Sequence, residues 1–164
     1  MGVFIPLNDG ALATLFDASG HGLAAYKVSQ VARNTILNSS SREPVALMKE
    51  LNIALQGSIG AAIAIARIFP EKIEFSGVGN VRASIDLKTL ISSLGVVGIR
   101  MRAPKIETTG FTFNKRFLMH TDGLAHPKSI PGGNAETASK ILVESNASDH
   151  DDAGVLMARW LRKI

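Results

Sequence analysis

The chain has no cysteine among its 164 residues. That excludes a disulfide framework, a thiolate metal site and a cysteine nucleophile, and it fits a reducing compartment. Aromatic residues are scarce, with seven Phe, one Tyr and one Trp. No basic stripe is interleaved with them, which argues against nucleic-acid binding. Neither sign of charge dominates: 18 Lys and Arg stand against 14 Asp and Glu, for a net charge of +4. The cations are scattered, apart from Arg159, Arg162 and Lys163 near the end, and read as a solvated surface. No long hydrophobic run is present. The longest, residues 59–69, carries Arg67 and is too short to span a bilayer. No cationic segment precedes an apolar run at the N-terminus, so no signal peptide is expected. Met1-Gly2 is not a myristoylation start, because Pro6 stands where Ser or Thr is needed. These absences predict a soluble, cytoplasmic protein that contacts neither membrane nor nucleic acid.

What is present is an ordinary globular composition, 46% hydrophobic and 20% charged, enough for one domain over residues 1–164 with a sizeable core. Residues 3–7 and 11–16 read as strands joined by the turn Asn8-Asp9-Gly10. Helical spacing of Ala24, Val28, Val31, Ala32 and Ile36 predicts a helix over 23–37. A second helix starts at Pro44, which suits a first helical turn, and stops at Gly57. Residues 60–68 alternate small and large apolar side chains, as in a strand buried on both faces. Strands follow at 73–76, 81–85, 89–94, 105–109 and 111–120, with a turn between Gly95 and Gly98. A flexible loop over 127–133, a helix over 135–145 and a strand over 153–160 close the chain. Strands and helices do not alternate regularly, so the expected class is α+β, antiparallel sheets with helices packed outside.

Three carboxylates stand at the ends of predicted strands: Asp17 in Asp17-Ala18-Ser19-Gly20-His21-Gly22, Asp122 in Thr121-Asp122-Gly123-Leu124, and Asp151 in Asp151-Asp152-Ala153-Gly154. Taken singly, an Asp beside Gly is a turn or capping residue. Together they suggest one acidic edge able to bind hard divalent cations, which take oxygen ligands. Gly77-Val78-Gly79-Asn80 lacks the Lys-Ser/Thr end of a phosphate-binding P-loop and reads as a turn.

The Asp17–Gly22 turn resembles the D-x-x-G-H-G motif of the PPM (PP2C-type) metal-dependent serine/threonine phosphatases, in the bacterial sporulation and stress-response branch (SpoIIE-like, RsbX-like). Phe117-Leu118-Met119-His120-Thr121-Asp122-Gly123-Leu124 resembles the family's strand ending in T-D-G-L, and residues 151–156 resemble its C-terminal D-D-A-T-V-L. Residues 60–66 and 75–83 are similar to the small subgroup acting on stressosome and anti-sigma regulatory proteins. The resemblance implies two stacked antiparallel sheets flanked by helices (an αββα sandwich), here without the usual N-terminal strands, and a Mn²⁺ or Mg²⁺ site, normally of two ions, at one edge. It implies that Asp17, the Ala18 carbonyl, Asp122 and Asp151 ligate metal, with Ser19, His21 and Asp152 around them. A metal-activated water would hydrolyse phosphoserine or phosphothreonine on a regulatory protein.

Three departures from the family pattern stand out. Val3 occupies the position matched to a carboxylate that helps to hold the second ion. An exposed sheet edge is left to a partner or to a second copy of the chain. Gly154 replaces a common Thr. His21 is expected to fix its turn, since members using His as general acid place it where Ser19 stands. His120 and His150 neighbour the other Asp residues without an assigned role. The alternatives are a catalytically weakened pseudophosphatase serving as a binding module, and a different metal hydrolase acting on phosphodiesters.

Overall fold

The computed structural model describes residues 1–148 and 152–161. Strands β1 (Gly2–Leu7) and β2 (Gly10–Ala18) form the first hairpin. Helices α1 (Gly22–Asn38) and α2 (Pro44–Ala54) follow. Eight strands then run in order: β3 (Ala61–Ile68), β4 (Lys72–Val78), β5 (Arg82–Ile85), β6 (Lys88–Leu90), β7 (Gly95–Val96), β8 (Arg100–Met101), β9 (Glu107–Gly110) and β10 (Arg116–His120). Helix α3 (Ala135–Asn146) and strand β11 (Val155–Arg159) complete the order. A five-stranded antiparallel sheet runs β1-β2-β3-β4-β9, and a four-stranded one runs β11-β10-β5-β6. The expected α+β arrangement of two stacked antiparallel sheets flanked by helices is what is observed.

Residue size along β2 and β3 explains the layering. Side chains alternate across a strand. In β3 the small residues Ala62, Ala64 and Ala66 face the second sheet, with Ala11 and Ala13 of β2. There they meet Phe75, Phe117 and Met119, small against large. The opposite faces carry Ile63, Ile65, Leu12 and Phe16, which pack on Val28, Ile36, Leu47 and Leu51 of α1 and α2. Both faces of β3 are therefore buried, as its apolar run predicts. Arg67, the one charge in that strand, is also buried. Its guanidinium is spent on Asp9 and on the carbonyls of Ala11 and Ile68, at 3.2 and 3.1 Å, and it stacks 4.3 Å from the Phe69 ring. A buried charge is tolerated only when paired in this way, and here it ties the first hairpin to β3.

Helix α2 begins as expected at Pro44, and Glu43 caps it by accepting from the amides of Val45 and Ala46 at 3.0 and 2.5 Å.

The later strands depart from expectation. Of the predicted strand 89–94 only residues 89 and 90 lie in the second sheet, as the end of β6. The chain then crosses to β4, where Ser93 and Gly77 and then Gly79 and Ser93 exchange backbone bonds of 2.7 and 3.0 Å. Residues 111–115 are not strand. Asn114 has φ +72°, and Lys115 bonds back to Thr112 at 3.2 Å, so β10 starts only at Arg116. The loop read as flexible is held by Arg116, whose guanidinium donates to the Ile130 and Pro131 carbonyls at 2.8 and 2.7 Å. Strands β1 and β11 lie at the edges of their sheets. No helix among the described residues is long and apolar enough to cross a membrane.

Candidate metal and phosphate site

Asp17 is the penultimate paired residue of β2, opposite Ala62 of β3. Two residues on, the Ser19 amide bonds to the Gly60 carbonyl at 3.0 Å. The backbone then reverses through Gly20 and Gly22, with φ of +78° and +74°. That is the left-handed region, which glycine enters without penalty. His21 between them is the residue preceding α1, but its side chain makes no capping bond and is exposed. The glycines, not the imidazole, make the turn.

Asp122 follows β10, and Asp152 precedes β11. These two strands are paired through His120 and Val155, so their ends coincide. The hydroxyl of Thr121 ties them together: it donates to the Asp152 carbonyl at 3.2 Å and accepts from the Gly154 amide at 2.8 Å. A β-carbon on Gly123 would lie 2.5 Å from the Asp152 carbonyl oxygen, so only glycine admits this approach. Where the resemblance places a Thr, Gly154 already presents its amide to Thr121, and a β-carbon there would come within 3.1 Å of the Thr121 methyl.

Ends of both sheets thus meet at one open cavity of about 730 Å³, lined by Asp17, Ala18, Ser19, His21, Asp122 and Asp152 among others. All of the expected site residues within the described chain line it. Asp151 and His150 lie outside the described residues. The ammonium of Met1 donates to the Phe16 carbonyl at 2.7 Å. Burial lowers its pKa, and Asp17 and Asp152 both act against that shift, so the two carboxylates stabilise one common cationic group. Among the described residues no three His, Asp or Glu side chains gather to hold an ion by themselves. The donors that are present are nevertheless the right kind: carboxylate and carbonyl oxygens suit Mg²⁺ or Mn²⁺.

Position 3 is not beside this edge. Val3 pairs with Thr14 and is buried with the residues under the helices. A carboxylate there would face that apolar layer.

Asn80 is a site residue that sequence reasoning passed over as part of a turn. Its amide donates to the Asp122 carboxylate at 2.5 Å, and it lines the same cavity. Nothing in its spacing marks it, because the bond joins residues 42 positions apart. Gly95 and Val96 of the β7–β8 hairpin form part of the wall as well.

His120, left without a role by the sequence, is buried. Its Nδ1 donates to the Thr121 carbonyl at 2.9 Å, and its ring lies 5.9 Å from that of His126. Burial lowers its pKa below the ordinary 6.5, reinforced by His126 and Arg82 and opposed by the Thr121 bond. The folded chain therefore binds this proton less readily than the unfolded chain. Stability from neutral His120 is present above 6.5 and is lost as pH falls from there through the lowered value. Denaturant titrations of the metal-free protein at pH 7.5 and 5 should show lower stability at pH 5, with a smaller drop in His120→Gln.

No family model matches the chain, and no curated protein matches it in sequence. Solved structures do. A chain described with the bacterial stressosome, a modular system adapted to control secondary messenger signalling, superposes with TM-score 0.88 at 21% identity, over 97% of this chain and 90% of that one. RsbX in complex with magnesium gives 0.84 at 21%, over 96% and 84%. The catalytic domain of the serine/threonine protein phosphatase PstP with two manganese ions gives 0.71 at 13%, over 99% and 97%. At these identities the likeness shows the fold, which is PP2C-like.

Proposed function

We propose that this PP2C-like chain acts, as one domain over residues 1–164, as a Mn²⁺- or Mg²⁺-dependent phosphatase of phosphoserine and phosphothreonine. Its substrate would be a phosphorylated regulatory protein of the stressosome or anti-anti-sigma type. The observation that carries the reading is the gathering of Asp17, Asp122 and Asp152 around one open cavity at the joined ends of both sheets. Solved structures of the same fold described with the stressosome and as a serine/threonine phosphatase support it.

Asp17, the Ala18 carbonyl, Asp122 and Asp151 would hold the cation, with water completing the hard oxygen set. When bound, such a cation lowers the pKa of water and screens phosphoryl charge. Asn80 holds the Asp122 carboxylate in one orientation through its amide. The Thr121 hydroxyl locks the strand ends that carry Asp122 and Asp152, so the acidic groups are positioned before substrate arrives. Ser19 and His21, exposed on the rim, would contact the incoming phosphoprotein.

The test is hydrolysis of p-nitrophenyl phosphate and of phosphoserine peptides with and without added Mn²⁺. Metal-stimulated release of phosphate is expected. Its absence, together with no heat of Mn²⁺ binding at millimolar concentration, would leave the alternative of a pseudophosphatase that binds a partner without turnover. Release from phosphodiesters alone would instead indicate a different hydrolase.

A further inference from the structure

A second hollow, of about 470 Å³, lies beside the carboxylate cavity. The two share Gly79 and Asn80 as a common wall. Their charges are opposite. Asp17, Asp122 and Asp152 line the first, whereas the second is lined by Arg82, His126, Thr89 and Ser92 and by no carboxylate among the described residues. Arg82 starts β5 opposite His120 of β10, is exposed, and has no ion-pair partner among the described residues. The buried His120, its cross-strand neighbour, tilts against the His126 ring. Ser92 spends its hydroxyl on the Val81 carbonyl at 3.2 Å, which holds the far side of the hollow to the chain just before Arg82.

A concave site with an unpaired guanidinium suits an oxyanion, which arginine takes with two parallel hydrogen bonds. The phosphoryl group undergoing reaction belongs with the carboxylates and whatever cation they hold, on the other side of the Gly79–Asn80 wall. In an extended peptide, side chains two residues apart on one face lie on the order of 7 Å from each other. Because the two hollows share the Gly79–Asn80 wall, the second is the one next to hand for such a neighbouring side chain. We infer that the Arg82 hollow is a subsite for an acidic side chain flanking the phosphorylated residue, with Arg82 as the residue that sets this specificity. The inference rests on the phosphatase reading for the meaning of the neighbouring cavity, and its test separates the two.

The probes are phosphoserine peptides that are identical except for Glu, Ala or Lys at the flanking positions. With the full chain and Mn²⁺, kcat/KM is expected to be about tenfold higher for the Glu peptide than for the Ala peptide, the range of a charge-assisted hydrogen bond. Arg82→Ala should bring that ratio to about one. Arg82→Glu should invert the preference toward the Lys peptide, a result that misfolding cannot produce. A ratio near one in the parent chain would overturn the inference. So would an equal loss on all peptides in Arg82→Ala, which would assign Arg82 to the reacting phosphoryl group. If no peptide is hydrolysed, the phosphatase reading has failed, and fluorescence anisotropy of the same peptides carries the test. Tighter binding of the Glu peptide that is lost in Arg82→Ala supports the subsite, and equal binding overturns it.

Discussion

An Asp17→Asn chain is expected to lose Mn²⁺-stimulated phosphate release by at least roughly 100-fold, since outer partners of a metal site are already worth 10- to 100-fold and Asp17 would touch the ion. The amide is nearly isosteric with the carboxylate but neutral. It keeps the oxygen in place and removes the charge that a divalent cation needs. Asp17 is only half-buried at the end of β2, so the fold should survive and the melting temperature should change little. In calorimetry the same variant should bind Mn²⁺ more weakly than the parent. A variant with unchanged metal-stimulated turnover would remove Asp17 from the centre of the proposed site and, with it, the strongest reason for the phosphatase reading. Unchanged Mn²⁺ affinity with lost turnover would place Asp17 against the substrate instead.

The largest effect on stability is expected at Phe117. This ring is fully buried between the sheets, among the Ala-rich faces of β2 and β3. Those alanines leave room that only a large side chain from the second sheet can fill. Phe117→Ala should destabilise the chain by about 3–5 kcal/mol, the transfer free energy of the ring plus the cavity left behind. Proteins have only about 5–15 kcal/mol of stability in total. Urea unfolding should therefore show a much lower midpoint, or no folded baseline. Phe4, 53% exposed on edge strand β1, provides the contrast: Phe4→Ala should fall within about 0.5 kcal/mol of the parent. Equal effects at the two positions would mean that the sheet interface is not where the chain is held together. Phe117 also anchors β10, the strand that delivers Asp122, so a partly folded Phe117→Ala chain should bind metal poorly too.

Much of this arrangement could be read directly from the residues. The hairpin, the helices over 22–38 and 44–54, and the last helix follow from local periodicity and turn chemistry, which act over a few residues. The Ala/Ile alternation of β3 announced a strand buried on both faces, because its period is that of a pleat. Asp17, Asp122 and Asp151 stand out for a related reason: each lies at the end of a predicted strand beside a glycine turn, and ends of paired strands tend to lie together. Asp152, expected only around them, is the third carboxylate that the described residues bring to the cavity. His21 shows the limit of such reading. As the most conspicuous side chain in the motif it was expected to hold the turn, yet two glycines at positive φ do so and leave the imidazole exposed.

What local pattern could not show depends on pairings between distant segments. Residues 91–94 were expected to prolong a strand, but Ser93 bonds instead to the backbone of Gly77 and Gly79 at the end of β4. By order along the chain Val3 stands where the resemblance expects a carboxylate, and yet pairing with Thr14 sets it three residues short of Asp17 and turns it under the helices. Asn80 acquires its partner Asp122 only when β4, β5 and β10 are in place. The opposed charges on either side of Gly79 and Asn80 arise in the same way. Period and spacing report which face a side chain takes within its own element. Register and sheet order, set by burial across the whole chain, decide which of those faces meet.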